Sequence, residues 1–88
     1  MQTYQFTVYL QGVEVLTDDM AERLFEAGCD DGTPSSGNGI AKVRFHREAK
    51  SLEDAIASAV GHIRHAGLNA ASVEIDDDAL QALAVGAS

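Results

Sequence analysis

The sequence predicts one α+β domain of the ferredoxin-like, split βαβ type, and three observations support this. Its 88 residues fit a single domain and are too few for two. Apolar residues make up 45% and charged residues 23% of the chain, as in a globular protein rather than a disordered one. Strand-like and helix-like patterns follow in the order strand, helix, weak strand, strand, helix, strand, which is the ferredoxin-like order. Two helices should therefore cover one face of an antiparallel sheet and leave the other face open.

The first strand is predicted over residues 3–10. Apolar and polar side chains alternate there with a period of two, and several are aromatic or β-branched, which is typical of a half-buried strand. Val13 and Val15 are candidates to extend this strand beyond a break at Gly12.

The first helix is predicted over residues 17–28. Thr17 is a favourable N-cap, and the two aspartates that follow it suit the positive end of the helix dipole. Gly28 is a favourable C-terminal stop. Apolar residues recur at helical spacing, so we expect one face of this helix to be buried. That face consists of Met20, Leu24 and Ala27, flanked by Ala21 and Phe25.

A β-hairpin is predicted in the middle of the chain. Residues 36–39 have the composition of a tight turn, and residues 40–46 alternate as a strand. A short edge strand over residues 31–36 is the expected partner, although its composition alone equally suits a loop. Pro34 is compatible with an edge strand because some backbone N–H groups at a sheet edge have no partner.

A second helix follows the hairpin. Ser51 is expected to cap it, with Asp54 as the capping-box partner three residues later, and Gly67 is expected to end it. Its buried stripe consists of Ile56, Ala59, Val60 and Ile63.

The last strand is predicted over residues 72–75, after which residues 76–78 offer caps for a short C-terminal helix. The ferredoxin-like domain is therefore expected to be residues 1–76, and residues 77–88 are expected to form a short helix or tail.

The charge of the chain restricts its partners. Fourteen acidic and six basic side chains give a formal net charge of −8, a sign that opposes binding to nucleic-acid phosphates. We therefore expect no direct nucleic-acid binding and consider a protein partner with a basic surface more suitable. The chain shows no signal-peptide pattern and no run of roughly 20 apolar residues that would span a membrane. These features predict a cytoplasmic protein without membrane contact.

The charges are segregated along the chain, which indicates two candidate partner-binding regions. Acidic residues concentrate on and after the first helix, whereas basic residues concentrate in and after the third strand. The strand residues should lie on the open sheet face beside Tyr9. The alternative interpretation is that both regions are solvated surfaces that keep the protein soluble. The acidic set is Asp18, Asp19, Glu22, Glu26, Asp30 and Asp31, and the basic segment contains Lys42, Arg44, Arg47 and Lys50.

Catalytic, metal-binding and cofactor-binding patterns are not recognisable, so we expect neither an enzyme nor a cofactor. His62 and His65 are spaced for sharing a metal on one helix, but the sequence places no third ligand beside them. Cys29 precedes two aspartates and is expected to be a small packed residue rather than a reactive thiol. Tyr9 is the one aromatic residue expected on the open sheet face, which leaves little for RNA bases to stack on.

Two segments of the chain resemble a family of small, mostly uncharacterised bacterial proteins. That family has an F/Y-E-A-G-C-D-D motif followed by an F-x-R-E-A-x-S-x-E-x-A motif, and the resemblance covers roughly residues 3–76. Longer members continue into a helix-turn-helix DNA-binding segment, whereas this sequence has no recognition helix and no lysine or arginine after Arg64. The resemblance therefore implies the non-DNA-binding half of a regulator. The matching segments are Leu24-Phe25-Glu26-Ala27-Gly28-Cys29-Asp30-Asp31 and Phe45-His46-Arg47-Glu48-Ala49-Lys50-Ser51-Leu52-Glu53-Asp54-Ala55-Ile56.

Two hypotheses for function remain at this point. The leading hypothesis is a non-enzymatic interaction or regulatory module that binds a protein partner, or itself as a homodimer, through the sheet face or the acidic first helix. The alternative is an acidic inhibitor, such as a phage anti-defence or antitoxin-like protein, that mimics nucleic acid and occupies a basic groove on its target.

Overall fold

Four antiparallel strands form one sheet, and two helices pack against it, in the computed structural model, which describes residues 2–75. The α+β class and the antiparallel sheet are therefore confirmed. The strand order is β2-β3-β1-β4, so β2 and β4 are the edge strands. The predicted helix after residues 76–78 lies outside the described residues. In chain order the elements are β1 (Gln2–Leu10), α1 (Asp18–Glu26), β2 (Gly32–Gly37), β3 (Ile40–Ala49), α2 (Leu52–His65) and β4 (Ala70–Ile75).

The hydrophobic core lies between one face of the sheet and the two helices. Phe6 and Phe45 are directly opposite each other on β1 and β3, and their rings stack with centroids 5.3 Å apart. Both helices contribute buried residues to the same cluster, so both cover the same face of the sheet. The cluster includes Phe6, Val8, Val43 and Phe45 from the sheet, Leu24 from α1, and Ala55, Ala59 and Ile63 from α2.

The predicted edge strand is formed as β2, joined to β3 by a two-residue turn. Asn38 and Gly39 both have positive φ, at 54° and 76°, as a type I′ turn requires. The His46 N–H donates to the Asp31 carbonyl, and hydrogen-bonded pairs alternate along an antiparallel ladder. By this alternation the Pro34 nitrogen faces the free edge of the sheet. The N–H that proline lacks is therefore not needed for pairing with β3.

Both helices have the predicted N-caps, but α1 ends at Glu26, two residues before the predicted end at Gly28. The Met20 N–H donates to Thr17 Oγ1 at the start of α1, and the Asp54 N–H donates to Ser51 Oγ at the start of α2. Beyond each helix, a glycine takes the left-handed conformation that favours this residue. These glycines are Gly28, with φ 115°, and Gly67, with φ 86°. Neither helix within residues 2–75 combines the length and apolar composition of a membrane span.

The predicted extension of the first strand is wrong. β1 ends at Leu10, and Val13 and Val15 lie in the connection to α1, where Val15 is 66% exposed. Gly12 has φ 71°, which turns the backbone out of the extended conformation. Because of this turn, the two valines cannot continue the strand pairing of β1.

Candidate functional site

An apolar groove of about 400 Å³ lies between α1 and the edge strand β2. Gly32 and Pro34 present little side-chain volume on this face of β2, so α1 and β2 do not fill the space between them. A Cβ at Gly32 would lie only 2.7 Å from Cγ1 of Val43, which explains why this strand position is bare. We call this feature the α1–β2 groove. Its apolar lining includes Ala21, Leu24, Phe25, Pro34 and Val43.

Three carboxylates line the same groove from α1. Asp18, Glu22 and Glu26 are spaced four residues apart, so they form one row along the helix. All three are exposed, and none forms an ion pair with a residue in the described range 2–75. Like charges at this spacing repel and cost a helix a few tenths of a kcal/mol per pair, a cost that a cation between them would remove. We call this row the acidic rim.

Phe25 lies at the groove with 65% of its surface exposed. The prediction that it flanks the buried face of the first helix is therefore wrong. Leu24 points into the core, and a step of one residue rotates a helical side chain by about 100°, which turns Phe25 away from the sheet. An exposed aromatic ring between carboxylates is suited to contact both an apolar group and a nearby cation.

A second feature is a buried arginine on the helix-covered face of β3. Arg47 is 6% exposed, and its guanidinium lies 5.0 Å from the ring centroid of Phe45. All five of its N–H groups have an acceptor. Nε and NH2 donate to the two carboxylate oxygens of Asp31, NH2 also to the Gly28 carbonyl, and NH1 to Ser58 Oγ and His62 Nδ1. We call these five residues the Arg47 cluster.

The electrostatics of the cluster favour an ion pair at neutral pH. Burial on its own raises the pKa of Asp31, but the hydrogen bonds and positive charge of Arg47 outweigh it and lower that pKa below its usual value. The hydrogen bonds that Arg47 donates to Asp31 raise the pKa of Arg47 in return. Because both groups are charged and every arginine donor is used, the guanidinium has no free donor with which to bind an anion.

The cluster is also not arranged for nucleophilic catalysis. Ser58 Oγ donates to the Ala55 carbonyl and accepts from Arg47, so its proton is not directed at a base. His62 must accept from Arg47 through Nδ1, because a guanidinium has no acceptor, and this requires the tautomer protonated at Nε2. We interpret the Arg47 cluster as a structural connection between the loop after α1, β3 and α2.

Comparison with known proteins does not assign the chain to a family. No protein-family model matches the chain, and no curated protein or solved structure shows significant similarity to it. The resemblance to the bacterial family with the F/Y-E-A-G-C-D-D motif stays a prediction. Among residues 2–75, no three His, Cys, Asp or Glu side chains are grouped closely enough to hold a metal ion.

The predicted acidic set separates into three environments. Asp18, Glu22 and Glu26 form the acidic rim, whereas Asp19 lies 3.8 Å from Arg23 in an exposed ion pair. Asp30 is exposed in the loop after α1. Asp31 differs from both, because its carboxylate is bound by Arg47, and its role in partner binding stays a prediction.

The residues of the predicted basic segment do not all lie on one face of the sheet. Lys42 and Arg44 lie on the open sheet face, where β3 pairs them with Tyr9 and Thr7 of β1. The Tyr9 hydroxyl lies 3.4 Å from Oε2 of Glu74 on β4, to which it donates. Arg47 lies on the opposite face because it is an odd number of residues from both cations. This parity is visible in the sequence.

Cys29 is buried and contributes to the lining of the groove. Burial raises the pKa of its thiol, and the nearby Arg47 only partly offsets this effect. The thiol therefore stays protonated at neutral pH, and its environment favours packing rather than chemistry.

Proposed function

We propose that this protein is a non-enzymatic protein-binding module whose α1–β2 groove receives a basic segment with one apolar side chain. The observation that supports this is the juxtaposition of an apolar groove, an exposed Phe25 and three carboxylates without a cation partner in residues 2–75. The apolar side chain of the partner enters the groove, and lysines or arginines on either side of it meet the acidic rim.

The expected affinity is modest. Burying one large apolar side chain contributes about 1.5–3 kcal/mol. Exposed ion pairs at the rim add about 0–1 kcal/mol each and mainly accelerate association. Because association also costs translational and rotational freedom, we expect a dissociation constant between about 1 µM and 1 mM.

Binding by strand addition to β2 is less suitable than binding in the groove. A peptide that extends a sheet needs regularly spaced backbone donors and acceptors along the free edge. Pro34 removes the donor at the centre of this six-residue strand. The Gly32 N–H already donates to the Cys29 carbonyl. The edge of β2 is thus protected against pairing in a way that natural sheets commonly use.

We also assign the fold to the ferredoxin-like, split βαβ class. Two βαβ units interlock in this class, each with one strand of the other unit between its own two strands. The observed order supports this, because β3 lies between β1 and β2 while β1 lies between β3 and β4. The assignment accounts for one helix-covered face and one open face of the sheet.

A displayed library of random short peptides tests the proposed function even though the partner is unidentified. We expect selection on the immobilised protein to enrich peptides in which lysine or arginine flanks one large apolar residue. An enriched peptide added to isotope-labelled protein should shift the amide resonances of α1 and β2. Enrichment of acidic peptides, or shifts confined to the open sheet face, would contradict the proposal.

Single substitutions test whether the groove is the binding site. Glu22→Lys reverses the central charge of the acidic rim, and Phe25→Ala removes the exposed ring; each should weaken binding of an enriched peptide roughly tenfold. Glu14→Lys is the matched control, because Glu14 is an exposed loop carboxylate outside the groove. An equal loss in the control would show that net charge, rather than the groove, determines binding.

The row of carboxylates also supports the second hypothesis, an acidic inhibitor that mimics nucleic acid. Asp18, Glu22 and Glu26 present regularly spaced negative charges along one helix, as a phosphate backbone does. An inhibitor of this kind would compete with nucleic acid for its target and would lose affinity steeply as salt increases. A target whose binding is indifferent to both nucleic acid and salt would exclude this hypothesis and leave the module hypothesis intact.

A further inference from the structure

We propose that the turn between β2 and β3 is a covalent modification site, at which the Asn38 side chain cyclises onto the backbone of Gly39 and loses ammonia. Asparagine is among the chemically labile residues of proteins. Here it is exposed at the tip of the hairpin, as is Gly39. Apart from the adjacent residues, nothing lies within 4 Å of a Cβ built on Gly39, so its surroundings are open. This chemistry requires no binding partner and is independent of the α1–β2 groove.

The reaction joins the backbone nitrogen of Gly39 to the side-chain carbonyl carbon of Asn38. The nitrogen gives up its proton to a base in the solvent and bonds to Asn38 Cγ, and the side-chain nitrogen takes up a proton and leaves as ammonia. The product is a five-membered succinimide ring. Water then breaks one of the two bonds that the Gly39 nitrogen makes to the ring carbonyls. Breaking the bond to Cγ gives aspartate, and breaking the bond to the main-chain carbonyl gives isoaspartate.

The turn already has one of the two backbone angles that ring closure requires. In a type II′ turn the first central residue has φ of about 60° and ψ of about −120°. The ring needs the same ψ, because Gly39 N must eclipse Asn38 Cβ. The φ of Asn38 is 54°, so this angle is in place. Types I′ and II′ both suit a hairpin and differ by rotation of the central peptide group. That rotation gives Gly39 a negative φ, which glycine adopts readily.

Hydrogen bonding leaves the reacting groups free. Among residues 2–75, no hydrogen bond engages the Asn38 side chain or the Gly39 N–H. Asp31-Gly32 is a similar acidic-type sequence in the opposite environment, since Arg47 binds the carboxylate and the Gly32 N–H donates to a backbone carbonyl. We therefore expect cyclisation at Asn38 and not at Asp31.

The two products should affect the hairpin differently. Isoaspartate adds one carbon to the main chain, whereas a two-residue turn fixes the register of the strands that it joins. β2 is an edge strand that pairs with β3 alone, so its pairing should weaken. Aspartate at position 38 gives an Asp-Gly turn, which type I′ geometry favours, and should leave the hairpin intact.

Mass spectrometry of the folded protein in warm, mildly alkaline buffer tests the proposal. The peptide that contains Asn38 should lose one ammonia and then gain one water. Asn69 is the internal control and should stay intact, because it is followed by Ala70, whose Cβ hinders the attacking nitrogen, and its carbonyl accepts from the Gln11 N–H. Asn38→Asp is the matched variant, which keeps the turn sequence and has no ammonia to lose.

A synthetic peptide of residues 35–42 provides the unstructured reference. The folded protein should convert on the same timescale as this peptide, and urea below the unfolding transition should not change its rate. Conversion of the peptide with retention of the amide in the folded protein would overturn the proposal, as would a rate that rises with such urea. In the isolated isoaspartate fraction, the amides of β2 should exchange hydrogen faster than in Asn38→Asp, and equal exchange would overturn the expected effect on the hairpin.

Discussion

Arg47 holds Asp31, sixteen residues earlier in the chain, by two hydrogen bonds of 2.8 Å that join Nε to Oδ2 and NH2 to Oδ1. This bidentate pair fixes the loop between α1 and β2 to the far end of β3. The same loop contains Cys29 and leads into Gly32, which both line the α1–β2 groove. The shape of the candidate binding site therefore depends on an ion pair that lies outside it.

Replacing Arg47 should destabilise the protein strongly. Arg47→Leu leaves the Asp31 carboxylate and the Gly28 carbonyl without their partner in a half-buried site, which should lower the free energy of unfolding by about 3–5 kcal/mol. Arg47→Lys should retain only part of the unfolding free energy that Arg47→Leu loses, because an ammonium cannot make the bidentate contact. Urea unfolding followed by circular dichroism measures both, with Lys42→Gln as the control on the exposed face. A loss below about 1 kcal/mol for Arg47→Leu would contradict the structural role.

The Asp31 carboxylate should make stability depend on pH in the acid range. Its folded-state pKa is lowered, so its contribution is fully present above the unfolded-state pKa and is lost as pH falls through the lower folded-state value. Unfolding free energies measured from neutral pH down to pH about 2 should therefore fall less steeply for Asp31→Asn than for the unmodified protein. Asp30→Asn, which changes the exposed neighbour, should retain the original slope. Parallel curves for Asp31→Asn and the unmodified protein would show that the ion pair contributes nothing to the pH dependence of stability.

Gly28 should not tolerate a side chain. Its φ of 115° disfavours other residues, and a Cβ there would lie 2.8 Å from Nδ1 of His62. Gly28→Ala should therefore lower the unfolding free energy by about 1–3 kcal/mol. Gly61→Ala is an informative control, because Gly61 lies within α2 with nothing within 4 Å of an added Cβ. That change should instead stabilise the helix by about 0.5–1 kcal/mol. Equal melting temperatures for the two variants would contradict this geometry.

The Cys29 thiol should be unreactive in the folded protein. It is buried, and burial raises its pKa, so little thiolate is present or accessible at neutral pH. A thiol reagent that produces a coloured product should react slowly with native protein and rapidly in denaturant. Reaction at the same rate in both conditions would mean that the loop after α1 opens readily.

Much of the fold follows from local sequence patterns. The alternation in β1 and β3, the caps Thr17 and Ser51, and the glycines after each helix all occur where the sequence predicts them, because each depends on backbone geometry within a few residues. The edge strand is different, since its composition suits a loop equally well. Its formation depends on pairing with β3 through the Asn38-Gly39 turn.

The candidate site is only partly accessible from sequence. The acidic residues of the first helix are recognisable as a set, but sequence spacing alone cannot separate Asp31, whose partner Arg47 comes from another strand. The groove is not predictable from local patterns, because it results from small residues on β2 lying opposite α1. Phe25 belongs to an apolar pattern, and its exposure depends on where the helix meets the sheet.

The sequence by itself determined the class of the domain, the positions of its turns and caps, and the separation of acidic from basic segments. These properties depend on side-chain periodicity and on the conformations available to individual residues. The tertiary structure alone decided that Arg47 and Asp31 form an internal ion pair while Lys42 and the acidic rim stay on the surface. The physical reason is that burial and pairing are set by which elements lie against each other, and residues distant in sequence meet only when the sheet assembles.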